Sequence, residues 1–282
     1  MAKAPEQLET LVSGYGLIEG PRVDAENRLY FSDVVRGGVY RRTPEGRIET
    51  IVPKRRGVGG IALHEAGGVV VTGRNVCHVR EGESRILFDP ADTPGFNDLF
   101  TDGQGRVLVG SMRFDPFSSE GSRDPGELYR IEAEGRATLL YDDVGMANGI
   151  GLSPDGRLLY QNDSARNEIL VHDVAEDGRC LHRRVFARAE RGSPDGLAVD
   201  EQGGVWIAAH GGGCVTRYSP DGALDRHVEV PARLVTSLCL GGPDRRDLYV
   251  VTADNRDAPG LGGCIFRTRT DVPGVPVALA RV

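Results

Sequence analysis

Much of what marks other protein classes is missing from this sequence. No stretch approaches the roughly 20 apolar residues that a membrane-spanning helix needs, and no long segment keeps a helical apolar period. Lys and Arg are scattered and the formal charge is −7, so the concentrated basic face of a nucleic-acid binder is absent. No two of the five cysteines (Cys77, Cys180, Cys214, Cys239 and Cys264) have Cys-x-x-Cys spacing. An odd, unpatterned set of this kind reads as reduced structural thiols in a cytoplasmic protein. The first eleven residues hold no apolar core of a secretory signal. Also missing are a Gly-x-Ser-x-Gly elbow, a Walker loop, a dinucleotide fingerprint and a His-Glu-x-x-His helix. The single tryptophan, Trp206, precedes Ile207, so there is no Trp-Asp repeat. The expected partner is a small molecule; nothing indicates a nucleic acid, a membrane or a protein partner.

What the sequence has in abundance is glycine, 39 residues against 16 prolines, spread among short apolar runs. That composition suits many tight turns between short strands. The turns recur. AENRLYFSD (25–33), EAGGVVVTG (65–73), GQGRVLVGS (103–111), PDGRLLYQND (154–163), EQGGVWIAA (201–209) and PDRRDLYVVT (243–252) share one pattern at intervals of 38 to 51 residues. A third strand follows most of them (GGVYRRT, GELYRIE, NEILVHD, GCVTRYS, GCIFRTR). A fourth closes several (IETIV, ATLLY, HRRVFA, DRHVEV). Six repeats of four antiparallel strands predict an all-β, six-bladed β-propeller filling residues 1–282 as one domain. The strand-like LETLV (8–12) is expected to close the ring by pairing near 263–268.

Aligned on the first strand, the residue expected just before it is Glu19, Gly59, Asn97, Asn148, Asp195 and Ser237. In a propeller the first strands surround the central channel, so these positions form a ring at one mouth. Four of the six carry a carboxylate or amide oxygen, the donors that hard cations take. Two carboxylates at a narrow mouth would repel each other and lose hydration, and a cation relieves both costs. Each residue alone is commonplace in turns. Ser-Pro-Asp-Gly, for example, occurs at 153–156, 193–196 and 219–222, and only the middle copy precedes a first strand, placing Asp195 in phase with Glu19 and Asn148.

Second strands run back to the same mouth, so the loops after them overhang it. Two are long: 112–125, with Arg113 and Asp115, and 253–262, with Asp254, Asn255 and Asp257. Such loops on a rigid scaffold are expected to select substrate. Asp163 and His210 also end second strands and are expected to support the site from behind.

At this point the chain resembles the regucalcin/gluconolactonase family, also called senescence-marker and luciferin-regenerating-enzyme-like. The resemblance rests on EGPRVD (19–24), FNDLFTDGQGRVLVGSM (96–112), NGIGLSPDGRLLY (148–160), PDGLAVDEQGGVWIA (194–208) and TSLCLGGPDRRDLYVVTA (236–253). It implies a six-bladed propeller with one divalent cation (Ca²⁺, Mg²⁺, Mn²⁺ or Zn²⁺) held by Glu19, Asn148 and Asp195. Asn97 would touch metal-bound water or substrate, and Asp195 would serve as general base, with Asp98 or Asp115 in reserve. The implied activity is hydrolysis of sugar-type lactones; other readings are cleavage of phosphotriesters or other esters, or non-catalytic binding of calcium or a small ligand. Where some members carry an Arg that grips the sugar, this chain has Gly95, and Asp115 stands for a longer Glu. Arg113 is expected to supply the replacement cation and to bind substrate alongside Asn97, Asp98 and Asp115.

Overall fold

The computed structural model describes residues 8–118, 121, 123–255 and 259–282. It contains six four-stranded antiparallel sheets and, among the described residues, only one short 3-10 turn, Ala133–Gly135. Among the described residues no helix is long and apolar enough to cross a membrane. Each sheet is one blade of a propeller. The inner strands are Ile18–Val23, Ile61–Leu63, Gly95–Thr101, Ala147–Leu152, Ser193–Val199 and Val235–Gly241, and each touches the next all the way round the ring.

The repeats become blades because their apolar residues have somewhere to go on both faces. Six buried clusters form, one between each pair of consecutive blades. Phe31 and Ile18 pack with Val251 and Ile265 across blades 1 and 6, and Trp206 and Val215 pack with Leu238 and Phe266 across blades 5 and 6. No blade could bury its faces alone, so the ring must close. The strand Glu9–Tyr15 does this, pairing with Gly263–Arg269 in the register Glu9↔Arg267, Val12↔Ile265 and Tyr15↔Gly263. The expected pairing of LETLV therefore holds.

Blade 2 is where the sequence pattern was least informative. Its third and fourth strands, Val76–Arg80 and Glu83–Phe88, are joined by Glu81 and Gly82, both with positive φ (53° and 85°). A two-residue turn of that hand matches the strand twist, but Glu-Gly inside VREGES is a weak signal for it.

Beyond the sixth blade the chain crosses the channel's far end. Glu201 N donates to Pro273 O, Ala280 N to Leu63 O and Arg281 N to Gly105 O. Beneath this strap lies a cavity of about 330 Å³ lined by Arg22, Leu152, Val199 and Leu240. These residues lie toward the opposite ends of the inner strands from the aligned polar ring, which leaves the ring facing the other mouth.

Candidate metal centre

Five of the six aligned residues stand not just before their strands, as expected, but inside them; Gly59 precedes the strand Ile61–Leu63. Glu19 and Asn148 are second in their strands, and Asn97, Asp195 and Ser237 third. The reason is a bulge. In blades 3, 4 and 5 the register jumps from Phe96 to Leu99, from Ala147 to Ile150 and from Pro194 to Leu197, so that two residues oppose one on the partner strand. Those pairs are Asn97–Asp98, Asn148–Gly149 and Asp195–Gly196. Blade 1 has a jump of the same size between Glu19 and Arg22, but its extra pair is Gly20–Pro21, so Glu19 stands beside the bulge and not in it. A bulge interrupts the alternation of side chains and re-aims the extra residue, here toward the channel mouth.

Glycine lets the inner strands approach at this level. A Cβ on Gly149 would lie 2.3 Å from Leu197 N, and one on Gly196 would lie 2.7 Å from Ser237 Cα. Gly59, the ring position without a donor, is explained similarly: its missing side chain leaves the space that Asn97 Oδ1 fills. Asn97 Nδ2 donates to Ala147 O at 3.0 Å, bridging toward blade 4.

Glu19 and Asn148 are buried, 8 % and 5 % exposed, and Asp195 is half-buried. Burial pushes the Glu19 carboxyl well above its ordinary range, and the charges of Asp195 and Asp98 push it further, against the Gly20 N–H and Arg22. Asp195 is raised by burial and by Asp98, with a hydrogen bond from Asn148 pulling the other way. Their places near the same ends of the inner strands put Glu19, Asp195 and Asn148 at one mouth of the channel. Among the described residues no three histidine, cysteine or carboxylate side chains come together at metal-binding distance. The mouth offers a different set: two carboxylates whose charges are costly when uncompensated, plus amide oxygens. That donor chemistry fits a hard divalent cation.

Asp98 lies deeper than expected for a residue that touches substrate. Only 5 % exposed, it accepts a hydrogen bond from Leu99 N at 2.7 Å and lies 3.7 Å from the Arg22 guanidinium, which lines the far cavity. Burial raises its pKa to about 6, against the pull of Arg22 and Leu99 N. An unfolded Asp titrates near about 3.9, so folding is penalised increasingly as pH rises between those values. In metal-free protein, Asp98→Asn is therefore expected to be more stable than the wild type above pH 6, by about 1–3 kcal/mol. The gap should close below about pH 4. Denaturant unfolding of both proteins across this range, in chelator, checks it; a difference independent of pH would assign the effect to packing instead.

The remaining expected residues fall into two groups. Asp163 is fully buried and accepts hydrogen bonds from Gly145 N (2.8 Å), Met146 N (3.1 Å) and Arg166 N (3.2 Å). It holds the chain leading into Asn148. His210 is exposed, its ring makes no hydrogen bond among the described residues, and desolvation lowers its pKa. Arg113, expected to supply a cation to substrate, is paired with Glu127. Its Nε donates to Glu127 Oε1 at 2.8 Å, Nη2 joins the same oxygen, and Nη1 donates to Asp92 O at 2.7 Å. Glu127 in turn accepts from Ser111 Oγ. Asp115 is exposed and its Oδ1 accepts from Phe117 N at 2.9 Å, so one oxygen caps its own loop. Asn255 is buried with its amide on Pro231 O at 3.2 Å, and Asp257 lies outside the described residues.

Two residues beside Asp163 were not singled out from the sequence. Asn162 Nδ2 donates to Asp195 O at 2.6 Å, and Ser164 Oγ donates to Pro194 O at 2.6 Å. The tripeptide 162–164 thus ties the bulge of blade 4 to that of blade 5. Only the in-phase placement of Asn-Asp-Ser at a second-strand end could have flagged it.

Comparison with known proteins agrees with this architecture. The family described as SMP-30/Gluconolactonase/LRE-like region matches residues 17–254. The chain is 34 % identical over 266 residues to a 6-deoxy-6-sulfogluconolactonase of Pseudomonas putida, covering 88 % of this chain and 89 % of the relative. It is 31 % identical over 270 residues to the pentonolactonase XacC of Haloferax volcanii, covering 89 % of each. A third relative, the regucalcin of Sus scrofa, is 31 % identical over 270 residues, with 90 % of each covered. Among solved structures, a luciferin-regenerating enzyme superposes with a TM-score of 0.88 over 98 % of this chain and 100 % of the other, at 23 % identity. A calcium-binding regucalcin from Agrobacterium tumefaciens superposes with a TM-score of 0.87 over 99 % and 98 %, also at 23 % identity. The chain belongs to the SMP-30/gluconolactonase/LRE-like family.

Proposed function

We propose that the chain is a divalent-metal-dependent lactonase acting on sugar-type lactones. The observation that carries this reading is the meeting of Glu19, Asn148 and Asp195 at one mouth, with both carboxyls raised by burial and by neighbouring negative charge. The names of two relatives, a sulfogluconolactonase and a pentonolactonase, point the same way. Glu19, Asn148 and Asp195 would hold the cation, whether Ca²⁺, Mg²⁺, Mn²⁺ or Zn²⁺. A cation there supplies Lewis-acid polarisation of a carbonyl.

The chain's own groups do the rest. Asp195 keeps a side open to the mouth and accepts the proton of an attacking water. The water oxygen bonds to the carbonyl carbon, the ring C–O bond breaks, and the ring oxygen leaves as a hydroxyl by taking that proton from Asp195, which returns to its carboxylate form. Asn97, half-buried between Gly59 and Ala147, is placed to orient the water or the substrate. Substrate choice is assigned to the overhanging loops, with Asp115 keeping one carboxylate oxygen outside its own turn.

The test is hydrolysis of a panel of sugar lactones, simple esters and phosphotriesters, before and after chelation and metal return. Lactone opening that chelator stops and metal restores is the expected result. Metal-dependent cleavage confined to esters or phosphotriesters would move the substrate class. Metal binding without any turnover would make the chain a binding protein.

A further inference from the structure

We infer that Ser164 is a positioning residue that fixes which end of the Asn148 amide faces the channel mouth. The inference rests on the metal-site reading above and concerns the polarity of one of its ligands. An asparagine can ligate a cation through Oδ1 and not through Nδ2, so a site built on Asn148 works in only one of two amide orientations.

The hydrogen-bond network leaves one orientation. Pro194 O, a carbonyl, can only accept, and it lies 2.6 Å from Ser164 Oγ. The single hydroxyl proton of Ser164 is therefore spent there, and toward Asn148 its oxygen can only accept. The Asn148 atom 3.1 Å from Ser164 Oγ must then be the donor, Nδ2. Asn148 Oδ1 accepts no hydrogen bond among the described residues, although the side chain is only 5 % exposed.

Ser164 is itself held. Its N–H donates to Met146 O at 3.1 Å, and its carbonyl accepts from Ser193 Oγ at 2.8 Å. One serine thus joins the chain before Asn148 to the chain before Asp195. Without the hydroxyl, the amide loses the acceptor that distinguishes its two ends.

The experiment reads metal affinity rather than turnover. Chlorides of Ca²⁺, Mg²⁺, Mn²⁺ and Zn²⁺ are titrated one at a time into metal-free protein by calorimetry, and the tightest ion is used for the variants. Ser164→Ala and Ser164→Cys are both expected to weaken that ion by about 10–100-fold, the usual effect of groups that orient metal ligands. Ser164→Thr keeps the hydroxyl and should retain most of the affinity. In the Asn148→Asp background, where both ends of the side chain are oxygen, adding Ser164→Ala should cost little further. Thermal unfolding without metal identifies any variant that fails to fold. Wild-type affinity in folded Ser164→Ala would overturn the inference, and so would an equal loss in the Asn148→Asp background, which would assign Ser164 to packing. A wild type that binds none of the four ions would sink the metal-site reading itself, a result distinct from either.

Discussion

Asp195→Asn is expected to lower lactone turnover by about 10²–10⁴ with the cation site saturated, the usual value of positioned proton transfer. The substitution keeps the size and one ligating oxygen but removes the charge and nearly all the basicity. Some metal affinity will be lost, so the comparison is made at metal concentrations shown by titration to fill the site. Asn162 Nδ2 holds the Asp195 main chain at 2.6 Å, so the bulge should persist and the loss should reflect the side chain. Full recovery of turnover at saturating metal would make Asp195 a ligand only. The base would then be sought elsewhere, with Asp98 next in line because its pKa, pushed up to about 6, suits a proton acceptor.

Glu19→Gln should give the complementary result. It removes a ligand charge without touching the proposed base. Groups that merely orient ligands are worth about 10–100-fold in metal affinity, so loss of a charged ligand should exceed that range. Turnover should recover as metal is raised. The affinity should also depend on pH. Glu19 and Asp195 hold protons more tightly than ordinary carboxyls, chiefly through burial. Protons therefore compete with the cation increasingly as pH falls, and part of that dependence should vanish in Glu19→Gln. Calorimetric titration of both proteins at several pH values checks this. An unchanged metal affinity would remove Glu19 from the site.

The propeller was legible because its determinants are local and repeated: period-two strands, turn residues at fixed offsets, and the same phase six times. Even ring closure by LETLV could be read, because four blades already supplied a fourth-strand template. Blade 2 was harder, since its Glu81–Gly82 turn carries a weak signal. The four polar residues of the mouth were visible for the same reason as the blades. Their setting was not. A bulge changes register by one residue, and nothing in Phe-Asn-Asp-Leu or Ala-Asn-Gly-Ile announces that two residues will oppose one. Arg113 looked like a substrate contact because it sits in a long loop, but Glu127, fourteen residues on in the next strand, engages its guanidinium. Asp98 looked like a mouth residue because it adjoins Asn97, but the bulge leaves it buried beside Arg22. Ser164 carries no signal as a lone hydroxyl; its role depends on an acceptor, Pro194 O of the next blade, and a donor, Asn148 Nδ2 of its own. The surroundings of Arg113, Asp98 and Ser164 are set by contacts from neighbouring strands and blades, which a single-chain pattern does not encode.

The central claim is that Glu19, Asn148 and Asp195 form one cation site at the channel mouth. Anomalous diffraction from a crystal soaked in Mn²⁺ tests it most directly. The account predicts one strong peak at the mouth, within ligand distance of a Glu19 carboxylate oxygen, Asn148 Oδ1 and an Asp195 carboxylate oxygen. A peak bound elsewhere, or a mouth left empty at saturating Mn²⁺ while another site fills, would contradict it.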